Sequence, residues 1–324
     1  MLLIKFIQKE NWAVLAQQAG RVAGLGHGDD GRSVDVLCGQ AGSVCGSVAD
    51  ADLAGGIGQA VVAVVAKSVL KKKPDSSLAI GFKLLNDGEG DAFVSAGNTG
   101  AITVGATLLT KRIKGVKRPA IASVMPSAKK PFVLMDCGAN AECRPEFLYQ
   151  FGLLGSIYMQ NVLKVSNPRV ALANNGTEET KGTPVVKEAY ALMKSAPYNF
   201  VGNIEGRQIP FGDADVVVAD GFTGNLILKM YEGVAKVLMN SIKAAFMKNT
   251  LSKISYLGVK SGIDDMKKQF DYKEYGGAVV LGVKKPVIKA HGSADARTFK
   301  NAIKQAVWFL QTDLIDKIEK ELND

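Results

Sequence analysis

The sequence predicts an α/β protein, and three observations carry that expectation. From Lys67 onward, short apolar runs suited to strands alternate with amphipathic segments of helical period. Polar, glycine-rich turns follow four strand runs: SAGNTG at 95–100, DCGANAEC at 136–143, NNGTEETKGT at 174–183 and DGFTGN at 220–225. The chain of 324 residues, 47% hydrophobic and 22% charged, is long and apolar enough to bury a large core.

Along the chain, residues 1–66 read as an atypical segment and 67–324 as the α/β domain. Between 13 and 66 there is no Phe, Trp, Tyr or Lys, only a dense mixture of Gly, Ala, Val, Asp and Ser with few bulky groups for a core. GLGHGDDG lacks the G-K-[ST] ending of a phosphate loop and is expected to be a plain flexible loop, with a helix following Gly58. Strands are expected in DAFVSAG, AIASVMP, PFVLMDCG, RVALANNG, FVGNIEG and DVVVADG. Helices are expected in SSLAIGFKLLNDG, in GAITVGATLLTKRI and in PEFLYQFGLLGSIYMQNVL, where Pro145 sits in a first turn that needs no N–H. TPVVKEAYALMKSA, the long segment 222–256 and the terminal SADARTFKNAIKQAVWFLQTDLIDKIEKEL complete the set.

In an open α/β sheet, ligands bind beyond the carboxyl ends of strands, where all four polar turns fall. Glycine lets a backbone approach a ligand closely, and free amides at a helix start, with Asn and Thr side chains, donate to an anionic oxygen. The same residues are also ordinary turn formers, so both readings stand for each turn taken singly. Lys181, Lys289 and His291 are the cations placed to act beside such turns, a hydrogen-bonded structural role being the alternative for His291. Asp136 and Asp220 each end a strand and read as caps. Neither has a paired carboxylate in sequence, which argues against glycosidase chemistry, and no G-x-S-x-G elbow supports a serine hydrolase.

Lys and Arg exceed Asp and Glu by nine, so the surface favours anions: phosphorylated small molecules, an acidic carrier protein, anionic lipid or nucleic acid. Without zinc-finger spacing, an RNP-type motif or a long basic helix, nucleic acid is not expected as a partner. Four cysteines without C-x-x-C spacing and two histidines predict reduced thiols and no metal site or cofactor. The opening MLLIKFIQKENW is interrupted by Lys5, Lys9 and Glu10 before a spanning length, so a cytoplasmic protein is expected.

The motifs VSAGNTGA, KRIKGVKRPAIA, VLMDCGANAECRPEFLYQFGLLGSIY, NNGTEETKG, FVGNIEGR, ADVVVADGFTGNLILK and EYGGAVVLGVKKPVIKAHGSADA together resemble the bacterial phosphate acyltransferases, the PlsX family, from about Lys67 almost to the end. The resemblance implies a three-layer α/β/α fold akin to isocitrate and isopropylmalate dehydrogenases, and a homodimer. It implies conversion of acyl-[acyl-carrier-protein] and inorganic phosphate to acyl phosphate and free carrier, which feeds phospholipid biosynthesis. A membrane glycerol-3-phosphate acyltransferase then becomes a candidate partner. In that chemistry Ser95, Gly97, Asn98, Thr99, Gly100, Asn140 and Asn225 would bind substrate, Lys181 would lie nearby, and Lys289 or His291 would stabilise the oxyanion or protonate the leaving sulfur. Lys111, Arg112, Lys114, Lys117 and Arg118 suit an acidic carrier or merely solvate a helix end. KVLMNSIKAAFMKNTLSKISYLGVK reads either as a dimer-interface helix pair or as an interfacial helix giving peripheral membrane association.

The resemblance fails at the start. The family begins with a strand leading into D-A-M-G-G-D, and no such motif occurs in MLLIKFIQKENWAVLAQQAG. A frameshifted or otherwise altered start is expected, with genuine divergence as the alternative; if the family's acidic glycine loop helps bind substrate, part of the site and the first sheet strand are expected to be missing. Two other readings remain in view: a coenzyme A-dependent phosphate acyltransferase, and an inactive membrane-associated partner of lipid-synthesis enzymes.

Overall fold

The structure, a computed structural model, describes residues 2–7, 33–38, 76–270, 275–292 and 294–323. The glycine-rich loop around His27, the helix expected after Gly58 and the rest of the atypical 1–66 segment, two strands excepted, lie outside the described residues. The chain divides into two compact units, one of Met1–Ile121 with Gly276–Asp324 and the other of Ala122–Tyr275. Each carries strands flanked by helices, the α/β class the sequence predicts.

In the first unit the strand order is β2 (Ser33–Cys38), β1 (Leu2–Ile7), β3 (Ala92–Ser95), β10 (Val287–Ala290), β9 (Gly277–Leu281). The opening residues do form a strand: Leu2–Ile7 pairs antiparallel with β2 and with β3, Leu2 opposite Val94. β3 and β10 run parallel, with Phe93 opposite Val287 and Ser95 opposite Lys289. Every residue of β3 is buried, as a strand covered on both faces requires. Helix α1 (Ser77–Asn86) is capped by the Ser76 hydroxyl, which accepts from the Ala79 amide. Phe82 of α1 stacks on Phe93 of β3 at 4.6 Å between ring centroids. Helix α2 (Thr99–Gly105) lies so close to that ring that a Cβ on Gly105 would fall 2.2 Å from Phe82, which is why glycine stands there. The helix expected to run on to Ile113 is shorter than its sequence pattern: after Gly105 the turns widen into a π-helical stretch, Ala106–Thr110, and end at Lys111 with φ of 69°.

The second unit has the order β4 (Ala120–Met125), β5 (Phe132–Met135), β8 (Val216–Val218), β6 (Val170–Asn174), β7 (Phe200–Glu205). β5 is antiparallel to β4, while β5, β8, β6 and β7 are mutually parallel. All six strands expected from sequence form. Helix α3 (Pro145–Asn161) packs on β5, β6 and β8, and twelve of its residues, including Phe151, Leu154 and Tyr158, are buried. It also meets α4 (Pro184–Lys194).

Two long helical expectations break. The 222–256 segment forms α5 (Gly221–Phe246) and α6 (Thr250–Phe270), and Asn249 opens α6 by accepting from the Ser252 amide. The C-terminal run becomes α7 (Ala296–Gln311) and α8 (Leu314–Asn323), separated at Asp313 with φ of 47°. Among the described residues no helix is long and apolar enough to cross a membrane.

Candidate functional site

Because β5, β8 and β6 are parallel, the turns after them share one edge of the second unit. The hub of that edge is Asp136, immediately after β5 and fully buried. Its carboxylate accepts from the amides of Ala139 at 3.0 Å and Asn140 at 2.7 Å, and from the Asn140 side-chain amide at 2.9 Å. A buried carboxylate satisfied by three donors is a scaffold, in line with the capping role expected of it. Asn140 is thus oriented by Asp136, and its carbonyl accepts from the Gly221 amide at 2.6 Å, tying the turn to the start of α5.

Asp220 caps α5, accepting from the Thr223 amide at 2.9 Å and the Thr223 hydroxyl at 2.7 Å. One turn on, Asn225 is exposed and lies beside Gly138, whose φ is 120°. Asn140 and Asn225 are therefore brought to the same corner.

Lys181 is exposed in the turn after β6, which stands next to β8. That turn is held at several points. The Asn174 amide donates to the Lys181 carbonyl at 3.1 Å and Asn203 donates to the Glu178 carbonyl at 2.9 Å. Glu179 accepts from Lys194 at 2.9 Å and Tyr190 at 3.2 Å, and these bonds, Lys194 foremost, hold its carboxyl below the usual carboxylate range. Burial, then Glu179, pushes the Tyr190 phenol up. Nothing in the sequence marks Asn174, Asn203 and Glu179 as supports of the site, whereas the D-C-G-A-N spacing carries the side-chain-to-amide geometry expected of Asp136.

The other predicted residues belong to the first unit. Ser95 and Lys289 are lateral partners on the parallel strands β3 and β10. The Ser95 hydroxyl accepts from the Gly97 amide at 3.2 Å, and Asn98 caps α2 by accepting from the Ala101 amide at 3.0 Å. The Asn98 side-chain oxygen is therefore engaged by the helix, which leaves its amide group and the first-turn N–H groups of Thr99 and Gly100 as the donor set at this helix start. Lys289 and His291 are both half-buried at the end of β10, and the His291 carbonyl accepts from the Ala294 amide at 2.9 Å. Ser95, Gly97, Asn98, Thr99, Gly100, Lys289 and His291 thus share one strand-end region, and Asn140, Asn225 and Lys181 another.

Comparison with known proteins is consistent with these turns being parts of one familiar chain pattern. A phosphate acyltransferase from Alkaliphilus oremlandii (strain OhILAs) is 51% identical over 251 residues, covering 78% of this chain and 75% of that protein. One from Clostridium novyi (strain NT) is 50% identical over 253 residues, covering 78% and 76%. Among solved structures, a phosphotransacetylase from Streptococcus pyogenes aligns with a TM-score of 0.49 at 19% identity, over 78% of this chain and 74% of that one. The family model described as fatty acid synthesis protein matches residues 58–317, which include every turn described above, and the chain belongs to that family.

Proposed function

We propose that the protein is a phosphate acyltransferase that transfers an acyl group from an acyl-[acyl-carrier-protein] thioester to inorganic phosphate, in the service of phospholipid biosynthesis. The observation that carries this reading is the pairing of Ser95 with Lys289, which sets a cation beside the amide-rich start of α2. A phosphate oxygen attacks the thioester carbonyl carbon and forms the new C–O bond. The carbonyl oxygen becomes an oxyanion, and collapse of the adduct breaks the C–S bond and releases a thiolate that takes up a proton. Phosphate is already anionic near neutral pH, so positioning and charge stabilisation matter more than a strong base. The first-turn amides after Asn98 and the Lys289 ammonium suit phosphate oxygens. His291, in the same strand-end region, suits the departing sulfur; in the second unit Asn140, Asn225 and Lys181 form a separate polar corner suited to contacts with the acyl donor.

Purified protein supplied with palmitoyl carrier protein and phosphate is expected to form palmitoyl phosphate and free carrier thiol in equal amounts. Turnover with palmitoyl coenzyme A but not with the carrier thioester would replace the carrier reading by the coenzyme A reading. Absence of phosphate-dependent turnover with either donor would leave the inactive-partner reading.

Assembly belongs to the same proposal. Helix α6 has no buried residue, and Val237, Leu251, Ile254 and Leu257 near the α5–α6 turn are 66%, 74%, 61% and 72% exposed. An apolar hairpin tip of this kind supports a homodimer made by pairing with the tip of a second copy. Pelleting with anionic vesicles would instead assign the tip to peripheral membrane association.

A further inference from the structure

The basic run that follows α2 is joined in the fold to a second one. Lys111, Arg112, Lys114, Lys117 and Arg118 come directly after the π-helical stretch, and Lys284 and Lys285 lie in the turn between β9 and β10. Arg112 forms an antiparallel bridge with Val283. The Ile113 amide donates to the Gly282 carbonyl at 3.0 Å, and the Lys284 amide to the Lys111 carbonyl at 3.0 Å. The Arg112 guanidinium donates to the Lys117 carbonyl, which folds the first segment back on itself. Ile113, Val116 and Val283 are buried and anchor both segments in the core, while six of the seven cations are exposed and Lys285 is half-buried. No Asp or Glu interrupts either segment, and Lys111, Arg112, Lys114, Lys284 and Lys285 form no ion pair among the described residues. Leu108 and Leu109, 50% and 37% exposed, border this platform. Lys111 has a φ of 69° and a ψ of 163°, a region that glycine occupies and residues with a Cβ avoid. A lysine held there against its backbone preference points to a use for its charge.

We infer that this platform is the docking surface for the acidic acyl carrier protein. The inference rests on the carrier-thioester reading and deepens it by naming where the carrier sits. Charge complementarity favours it: the cations on their fixed base attract an acidic protein surface, and Leu108 and Leu109 supply the apolar contact that a protein interface needs. Reach fits as well. Lys285 precedes Lys289 on the same strand run, four residues back, or about 13 Å at roughly 3.3 Å each. A pantetheine arm of about fifteen bonds, each of about 1.52 Å near 111° and so advancing roughly 1.25 Å, spans about 19 Å. The platform and the pair of Ser95 with Lys289 belong to the same unit, so the thioester of a docked carrier comes within an arm's length of Lys289.

The test measures binding of the full chain to the carrier protein without an acyl group, by isothermal titration at low and moderate salt. Wild type is compared with Lys111→Glu/Lys114→Glu/Lys284→Glu and with a charge-matched control, Lys187→Glu/Lys300→Glu/Lys304→Glu. Charge reversal on the platform is expected to weaken binding by about tenfold or more and to remove its salt dependence, while the control stays within about twofold of wild type. Lys111→Gly relieves the backbone and removes one charge, so carrier affinity is expected to fall about threefold with no loss of thermal stability. Equal affinity of wild type and the platform variant overturns the inference and leaves acyl transfer intact. An equal loss in the control reduces the effect to net charge and overturns it as well. If the carrier does not bind wild type, the docking surface falls, and phosphate-dependent turnover of acyl coenzyme A judges acyl transfer separately. Retained carrier binding with lost pelleting on phosphatidylglycerol vesicles would assign the platform to a lipid surface instead and overturn the inference.

Discussion

Gly224 rests directly on the carbonyl of Asp136: a Cβ added to Gly224 would lie 1.9 Å from that oxygen. The oxygen belongs to backbone, which has no rotamer to move, and the Asp136 carboxylate is already committed to Ala139 and Asn140. Gly224→Ala is therefore expected to push α5 off the Asp136 turn and lower unfolding free energy by about 3 kcal/mol, the upper end of ordinary overpacking costs. Urea unfolding measures the loss. A variant as stable as wild type would show that this contact is looser than the geometry implies.

Ser95 and Lys289 give a functional prediction. Removing a charged donor from a bound anion costs about 1.5–3 kcal/mol, or roughly ten- to a hundred-fold. Lys289→Ala is expected to raise the KM for phosphate by that factor, with Lys289→Arg recovering part of it. If phosphate KM stays at the wild-type value in Lys289→Ala, the lysine is not a phosphate ligand.

Lys181→Ala provides the contrasting case. Its proposed role is contact with the acyl donor from the second unit, so the KM for the carrier thioester is expected to rise about ten-fold with phosphate KM nearly unchanged. Steady-state kinetics with phosphate varied separates this pattern from that of Lys289→Ala.

Asp215 and Arg169 predict a pH dependence. The guanidinium donates to both carboxylate oxygens, at 3.0 and 3.1 Å, and the Arg169 amide adds a third bond at 2.8 Å. Burial alone would raise the Asp215 pKa, but the Arg169 bonds outweigh it and the carboxyl lies below its ordinary value. The unfolded chain therefore binds the proton first on acidification. The pair's stabilisation is complete above the ordinary Asp pKa and is lost as pH falls through the lower folded value. Between pH 5 and pH 2, roughly the interval over which such a pair titrates, Asp215→Asn is expected to lose stability less steeply than wild type in urea titrations.

Thr110 predicts a gain. Its hydroxyl oxygen is buried at the end of the π-helical stretch and has no hydrogen-bond partner among the described residues. Thr110→Val keeps the shape and removes the stranded polar group, so thermal unfolding is expected to shift upward, by on the order of 1 kcal/mol in stability. A lower midpoint would mean that the hydroxyl is satisfied.

The second unit's strands are readable in the sequence because runs such as FVLM and VVV combine β-branched or bulky apolar residues with a polar glycine turn directly after. β9 and β10 are not legible as strands, because Gly282, Lys284, Lys285 and Pro286 break the apolar run between GAVVL and VIKA into pieces that read as loop. The break at Asn249 is hidden because lysine and leucine continue at helical spacing through it, and only the Asn249 cap marks the new start. At the site, residue types are legible where they stand alone in a turn, as with Asn98 and Lys181. What sequence does not convey is the long-range support, because the partners of the 174–183 turn, Asn203 and Lys194, come from a different strand and helix.

The pairing of β3 with β10 also sets an order of events during synthesis. The second unit is one continuous piece of chain and can close as soon as it is made, whereas Ser95 must wait for Lys289, which follows the whole second unit in the chain. Until then the edge of β3 that β10 will cover is open, and the start of α2 lacks its cation. The first unit is therefore the late and vulnerable half of the molecule. A chain released before residue 287 would carry a finished second unit and a first unit with no β10 to complete its sheet.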